Sequence, residues 1–250
     1  PYNYVMNNPL GMVDPDGRDT WFVHGTLFAD YNQTDNRDQS LGRGYSAIHI
    51  SSWQKALGDT GEGHFFDWSG GNNDNERRWA AAQLVASIQK EISKDPSKTI
   101  NIVAHSHGGN VAMMAANALA KEGTKARILV MLGTPSREYK LNDQAKQNTQ
   151  IKLNLYNQYD GVQTNGGNQN TWLGFEQGPA GRAHHGFDNR DVTLQSGLKP
   201  IKVPIYGREG NLRGYETKNP GIWDAHGAMH TNQKVMDFVH QYLVHRGLVK

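Results

Sequence analysis

The run Ile100 to Ala116, INIVAHSHGGNVAMMAA, constrains this chain more than any other stretch. Ile100, Ile102 and Val103 make a short apolar strand, and Val111, Ala112, Ala115, Ala118 and Leu119 recur at helical spacing on a small-sided face. Between them, Ala104-His105-Ser106-His107-Gly108 follows the spacing G-x-S-x-G, with alanine in the first small position. Such a turn must lift a serine hydroxyl off the end of a sheet while strand and helix pass close together. The residues two before and two after the serine must therefore be small. Ala104 and Gly108 meet that requirement, and Gly109 relaxes the first helical turn.

The flanking segments extend the pattern. Thr20 to Val23 (TWFV) and Gly63 to Trp68 (GHFFDW) read as strands, and Ser52 to Leu57 as a short helical turn. A helix follows the Ser69–Asn75 loop, with Asn73 or Asp74 as its cap. Trp79, Leu84, Val85, Ile88 and Ile92 approximate its inner face, and Pro96 stops it. Ala126 to Leu132 (ARILVML) is a strongly apolar strand. Ile151 to Tyr156 (IKLNLY) alternates as a strand near a sheet edge does. Pro200 to Tyr206 reads as a further strand. Thr231 is expected to cap a last helix whose face is Val235, Phe238, Val239, Tyr242 and Leu243. Strands alternating with helices predict an α/β fold: a mostly parallel sheet with helices on both faces, and functional groups on loops beyond the strand C-terminal ends.

Composition narrows the function. With 250 residues the chain suits one α/β domain or two small ones, and its net charge of +2, without a basic cluster interleaved with aromatics, argues against nucleic acid as a partner. There is no cysteine, hence no thiolate nucleophile and no cysteine metal site. No apolar run approaches the ~20 residues of a membrane span. His184-His185 with Asp188 and Asp191 is a candidate metal cluster whose spacing matches no known site, so a polar loop is expected there and neither metal nor cofactor is implied. The chain starts at Pro1 and reads as a piece of something longer.

A serine hydroxyl is too weakly acidic to act alone near neutral pH. It needs a histidine base and a carboxylate to orient that base. With the His24-Gly25-Thr26 turn, the elbow, Asp160 after the Ile151–Tyr156 strand, and His226 before the last helix, residues 20–250 resemble serine α/β-hydrolases of the lipase/esterase kind. In that family the order along the chain is serine, acid, histidine. The resemblance implies Ser106 as nucleophile, Asp160 as acid and His226 as base, a covalent acyl-enzyme and no cofactor. It implies an oxyanion hole from the amides of His107 and of Thr26, with Gly25 the lesser candidate for the second. His230 is an alternative base, expected to be satisfied at the surface, and Asp67, after GHFFD, is an alternative acid. His105 and His107 are too constrained by the elbow to serve as its base.

The first residues, YNYVMNNPLGMVDPDG, carry the pattern N-P-x-x-x-x-D-P-x-G and resemble the end of the core of RHS/YD-repeat proteins. In that family this motif separates a conserved shell from a variable C-terminal toxin domain, often with aspartyl self-cleavage after D-P-x-G-L. Asp14 matches the motif's aspartate, but Arg18 stands where leucine is usual. The resemblance implies a core end or linker over residues 1–19, and a hydrolase domain over 20–250 with a polar insertion around 161–221. It implies a secreted effector delivered into a target cell, at the periplasm or membrane surface rather than the cytoplasm. An RHS shell and a cognate immunity protein are the implied partners. The expected substrate is a carboxylic ester, foremost a phospholipid acyl ester. The alternatives are an esterase or amidase on a soluble substrate, or a binding module that keeps the fold without turnover. A nuclease toxin would require a basic cleft and a metal motif, and the sequence shows neither.

Overall fold

A computed structural model describes residues 18–26, 47–167, 170–172, 175–206 and 212–250. Of the linker expected at 1–19, residues 1–17 with Asp14 lie outside the described residues, as do residues 27–46, while Arg18 and Asp19 open the first strand. In chain order the elements are β1 (Arg18–Val23), α1 (Ala47–Leu57), β2 (Gly63–Phe66), α2 (Asp74–Lys94), β3 (Thr99–His105), α3 (His107–Lys121), β4 (Ala126–Leu132), α4 (Asp143–Asn148), β5 (Thr149–Tyr156), α5 (Gly161–Thr164), β6 (Asn170–Trp172), β7 (Phe175–Gln177), β8 (Asp188–Asp191), β9 (Ile201–Tyr206), β10 (Leu212–Lys218), α6 (Ile222–Thr231) and α7 (Gln233–His245).

Six strands form one sheet in the order β2-β1-β3-β4-β5-β8, and every neighbouring pair is parallel. Period-two alternation divides the strand side chains between two cores. Trp21, Val23, Ile102, Ala104, Leu129 and Met131 face α2 and α3, where Leu84, Ile88, Val111 and Ala115 meet them. Phe22, Val103, Val130, Leu132, Leu153 and Leu155 face α1 and α7, where Trp53, Leu57, Val235 and Val239 meet them. Each fully buried aliphatic side chain contributes about 1.5–3 kcal/mol relative to exposure. Helices on both faces of a parallel sheet, with a serine turn at the end of the third strand, make this an α/β-hydrolase fold.

Several local expectations change. The alternating strand β5 is interior, because β8 pairs outside it through Leu153–Tyr156 and Asp188–Asp191. Trp79 points away from the inner face of α2 and is 65% exposed, and Ala80 and Ala81 pack in its place. Asn73 caps α2 by accepting from the Glu76 amide. Asn232, not Thr231, caps α7, its side chain accepting from the Lys234 amide. Within the polar insertion, β8 joins the main sheet, while β9 and β10 form a separate hairpin.

The chain leaves β1 to one side of the sheet to form β2 and returns on the other side with β3. The C-terminal ends of β1 and β3 therefore flank the switch point where open α/β sheets gather their ligands.

Candidate active site

Ser106 sits at that switch point with φ +54° and ψ −133°, and is the one non-glycine with positive φ among the described residues. A conformation of this kind costs about 1–3 kcal/mol for a side-chain-bearing residue and persists only where its surroundings hold it. Here the Ser106 amide donates to the Leu132 carbonyl at 2.8 Å, and the Gly109 amide donates to the Ser106 carbonyl at 3.0 Å. The small residues of the motif are required by contact. A Cβ on Gly108 would lie 2.4 Å from the His24 carbonyl oxygen, and one on Gly25 would lie 2.6 Å from the Ser106 Cβ. The strand-end turn His24-Gly25-Thr26 thus presses directly against the serine.

The acid and base sit on neighbouring loops and helices. Asp160 follows β5 and is fully buried. Its Oδ1 accepts from the Gln163 amide at 2.8 Å, capping α5, and its Oδ2 pairs with His226 Nδ1 at 2.8 Å. His226 is buried on α6, whereas a loop was expected at that place. Two contacts hold this helix. Trp53 Nε1 donates to the His230 carbonyl at 2.9 Å, and His105 Nε2 lies 3.1 Å from the His226 carbonyl. Gly133, at the end of β4, adopts φ +58° against the pair. A Cβ there would come within 2.8 Å of Asp160 Oδ2 and 3.3 Å of His226 Nδ1. We expect Gly133→Ala to part the two side chains and lower turnover severely, while costing about 1–2 kcal/mol of stability from the left-handed backbone. Ester turnover and urea unfolding of the purified variant check this.

The remaining candidates fall into place as follows. His107 is the first residue of α3 and is buried, with Asn110 Nδ2 3.3 Å from its Nδ1. Its amide belongs to the first helical turn, where backbone N–H groups lack intrahelical acceptors. Thr26 ends the described part of its loop, and its Oγ1 is buried with no hydrogen-bond partner among the described residues. His230 is buried rather than at the surface, its ring 4.1 Å from that of His105, which in turn lies 4.4 Å from that of His226. Asp67 has a side chain 57% exposed and lies 3.6 Å from His24 Nε2; the structure brings Asp160, not Asp67, to His226. The His184–Asp191 residues are occupied otherwise. His184 Nε2 is 3.0 Å from the Thr134 carbonyl. Asp188 accepts from Arg190 and Tyr242, and Asp191 accepts from Thr193 and Gln158.

Bracing residues were missed at the sequence level. Arg182 donates to the carbonyls of Asn157, Gln158 and Asp160, clamping the loop that carries the acid. His24 is buried against Trp68, whose indole Nε1 donates to the His24 carbonyl at 2.9 Å, anchoring the loop against Ser106. Neither the Arg182 clamp nor the Trp68 anchor has a local sequence signature, because their partners are distant in the chain.

Burial holds His105 and His107 well below the ordinary histidine range, and lowers His184 as well. In the unfolded chain these rings take up protons near pH 6.5. Below that pH the unfolded state binds more protons than the folded one, so stability is full above pH 6.5 and is lost as pH falls. Urea unfolding between pH 7 and pH 5 should show this slope, and His184→Gln, which can keep a donor to the Thr134 carbonyl, should reduce it. An unreduced slope would exclude His184 as a contributor.

The chain matches the family model of the T6SS Tle3 phospholipase effector domain over residues 76–196, just under half its length, a span that holds Ser106 and Asp160 but not His226. No curated protein matches the chain in sequence. Among solved structures it is similar to a Trichoderma reesei cutinase in complex with a phosphonate inhibitor, at 17% identity over 58% of this chain and 66% of the cutinase, with TM-score 0.37. It is similar to carboxyl esterase 2 of the mycorrhizal fungus Tuber melanosporum, at 12% identity over 50% of this chain and 38% of that one, with TM-score 0.35. An acetyl xylan esterase matches at 11% identity over 93% of this chain and 95% of its own, with TM-score 0.33. The chain thus spans less than two thirds of the cutinase and of the Tuber esterase.

Proposed function

We propose that this domain is an effector that hydrolyses phospholipid acyl esters through Ser106, His226 and Asp160. The observation that carries the reading is the 2.8 Å bond from His226 Nδ1, on α6, to the fully buried Asp160, on the loop after β5, together with the strained Ser106 turn. Asp160 fixes the imidazole with its proton on Nδ1, which leaves Nε2 as an acceptor for the Ser106 hydroxyl proton. Ser106 Oγ then attacks the acyl carbonyl. The oxyanion is stabilised by the His107 amide and by an amide of the Gly25-Thr26 turn. His226 passes its proton to the leaving alcohol as the tetrahedral species collapses to an acyl-enzyme. Water, deprotonated by the same imidazole, releases the fatty acid. The buried carboxylate stabilises the imidazolium formed in each half-reaction.

The phospholipid substrate and delivery into a target cell are supported by the matched family's description. An RHS shell upstream and a cognate immunity protein are part of the same proposal, supported by the resemblance of residues 2–17 to the RHS core end. Among the described residues no helix is long and apolar enough to cross a membrane. Acyl release from phospholipid vesicles, compared with release from short soluble esters, tests the substrate class. Faster turnover on vesicles supports the phospholipase reading. Turnover confined to soluble esters replaces it with a soluble esterase.

A further inference from the structure

Strands β9 and β10 pair only with each other among the described residues. Their register places Lys202, Pro204 and Tyr206 opposite Thr217, Tyr215 and Leu212 on one face of the ribbon. Tyr206 and Tyr215 are each 61% exposed, and Leu212 is half exposed. Ile201 and Ile205, on the other face, are exposed too. A two-stranded ribbon that leaves large apolar side chains in water on both faces gains little from them by burial, and a contiguous surface of this kind marks an interaction site. The charge is one-sided: Lys199, Lys202, Arg213 and Lys218 accompany a single acid, Glu216, over the described residues of 199–218.

The hairpin leads directly into the active site. Three residues separate Lys218 from Ile222, a span of at most ~14 Å over four Cα steps. Ile222 and Trp223, both exposed, open α6 one turn before His226. Ile222 packs beside Gly161, the residue after Asp160.

We propose that this hairpin, with Ile222 and Trp223, docks the domain on a bilayer of anionic phospholipid and sets the Ser106 mouth against it. This rests on the phospholipase reading above. The side chains suit a membrane interface. Tyrosine and tryptophan rings settle at headgroup level, lysine stems lie along apolar surface while their ammonium groups reach phosphates, and the basic excess draws the ribbon to a negative surface. A second copy of this chain or an immunity protein would use the same apolar residues but would give no preference for anionic lipid.

The test uses the full chain carrying Ser106→Ala, so that lipid stays intact, and measures co-sedimentation with phosphatidylglycerol-containing vesicles and with pure phosphatidylcholine vesicles. The expected result is binding to the anionic vesicles that weakens with added salt and falls at least about tenfold in Tyr206→Ser/Tyr215→Ser and in Lys202→Glu/Arg213→Glu. In the active background the same two double variants keep their thermal midpoint and their turnover of a soluble short-chain ester, and lose turnover on vesicles. Equal binding by wild type and variants, absence of binding, or equal affinity for both vesicle types would overturn the proposal. The two readings fail separately. Anionic-vesicle binding that the double variants lose, in a parent protein with no ester turnover, removes the hydrolase and leaves the docking surface. Ester turnover with unaltered vesicle binding removes the docking surface alone.

Discussion

Ser106→Ala should lower ester turnover by a factor of roughly 10³ or more while leaving the fold intact, because the hydroxyl is the one atom that forms the acyl bond in this account. The same position carries a second, opposing expectation. Ser106 holds φ +54°, ψ −133° against the preferences of an L side chain, so the turn stores strain that an alanine retains and a glycine relieves. Ser106→Gly should therefore be as inactive as Ser106→Ala but more stable than it, by about 1 kcal/mol in urea unfolding. Equal stability of the two variants would mean that the backbone relaxes when the hydroxyl is removed. Residual turnover near the wild-type level in both would mean that another group attacks the ester.

The second large effect belongs to Asp160→Asn. The asparagine carbonyl can still accept from the Gln163 amide, as Oδ1 does at 2.8 Å. Its NH2 group then faces His226 Nδ1, which must become the acceptor, and the imidazole proton moves to Nε2. Nε2 can no longer take the serine proton, so turnover should drop by about 10³–10⁴-fold with little change in substrate binding. Stability should hold or rise, since a buried charge is replaced by a neutral amide of the same shape. Near-normal turnover in Asp160→Asn would show that another carboxylate orients the base. Asp67, whose side chain lies against His24 rather than His226, would then need testing by the same substitution.

Much of this arrangement was legible in the sequence because its signals are local. The small residues around Ser106, the apolar runs of β3 and β4, and an aspartate in the loop that follows β5 each declare themselves within a few positions. Other features depend on contacts that no short window contains. The strand β8 (DNRD) has no apolar residue, so nothing in its pattern announced that it would pair with β5 and move that strand inside. His226 looked like a loop residue because WDAHGAMH has little periodicity and a glycine. Its helix is held by Trp53 and His105, from 177 and 121 residues away. His230 was expected at the surface from its place beside a helix cap. It is buried with its ring tilted against that of His105, which lies on the strand that leads to the nucleophile. The Arg182 clamp on the acid loop and the Trp68 anchor on His24 are visible only once the chain is folded.

The central claim is that Ser106 is the nucleophile activated by His226 and Asp160, and covalent trapping tests it most directly. A p-nitrophenyl alkylphosphonate offers a phosphorus centre to the serine: the Oγ–P bond forms, nitrophenolate leaves, and the serine proton passes to the imidazole. The account predicts one equivalent of nitrophenolate per chain and a single adduct, mapped by peptide mass spectrometry to Ser106, with labelling slowed strongly in Asp160→Asn. An adduct on another residue, or a chain that hydrolyses esters yet takes up no phosphonate at Ser106, would contradict it.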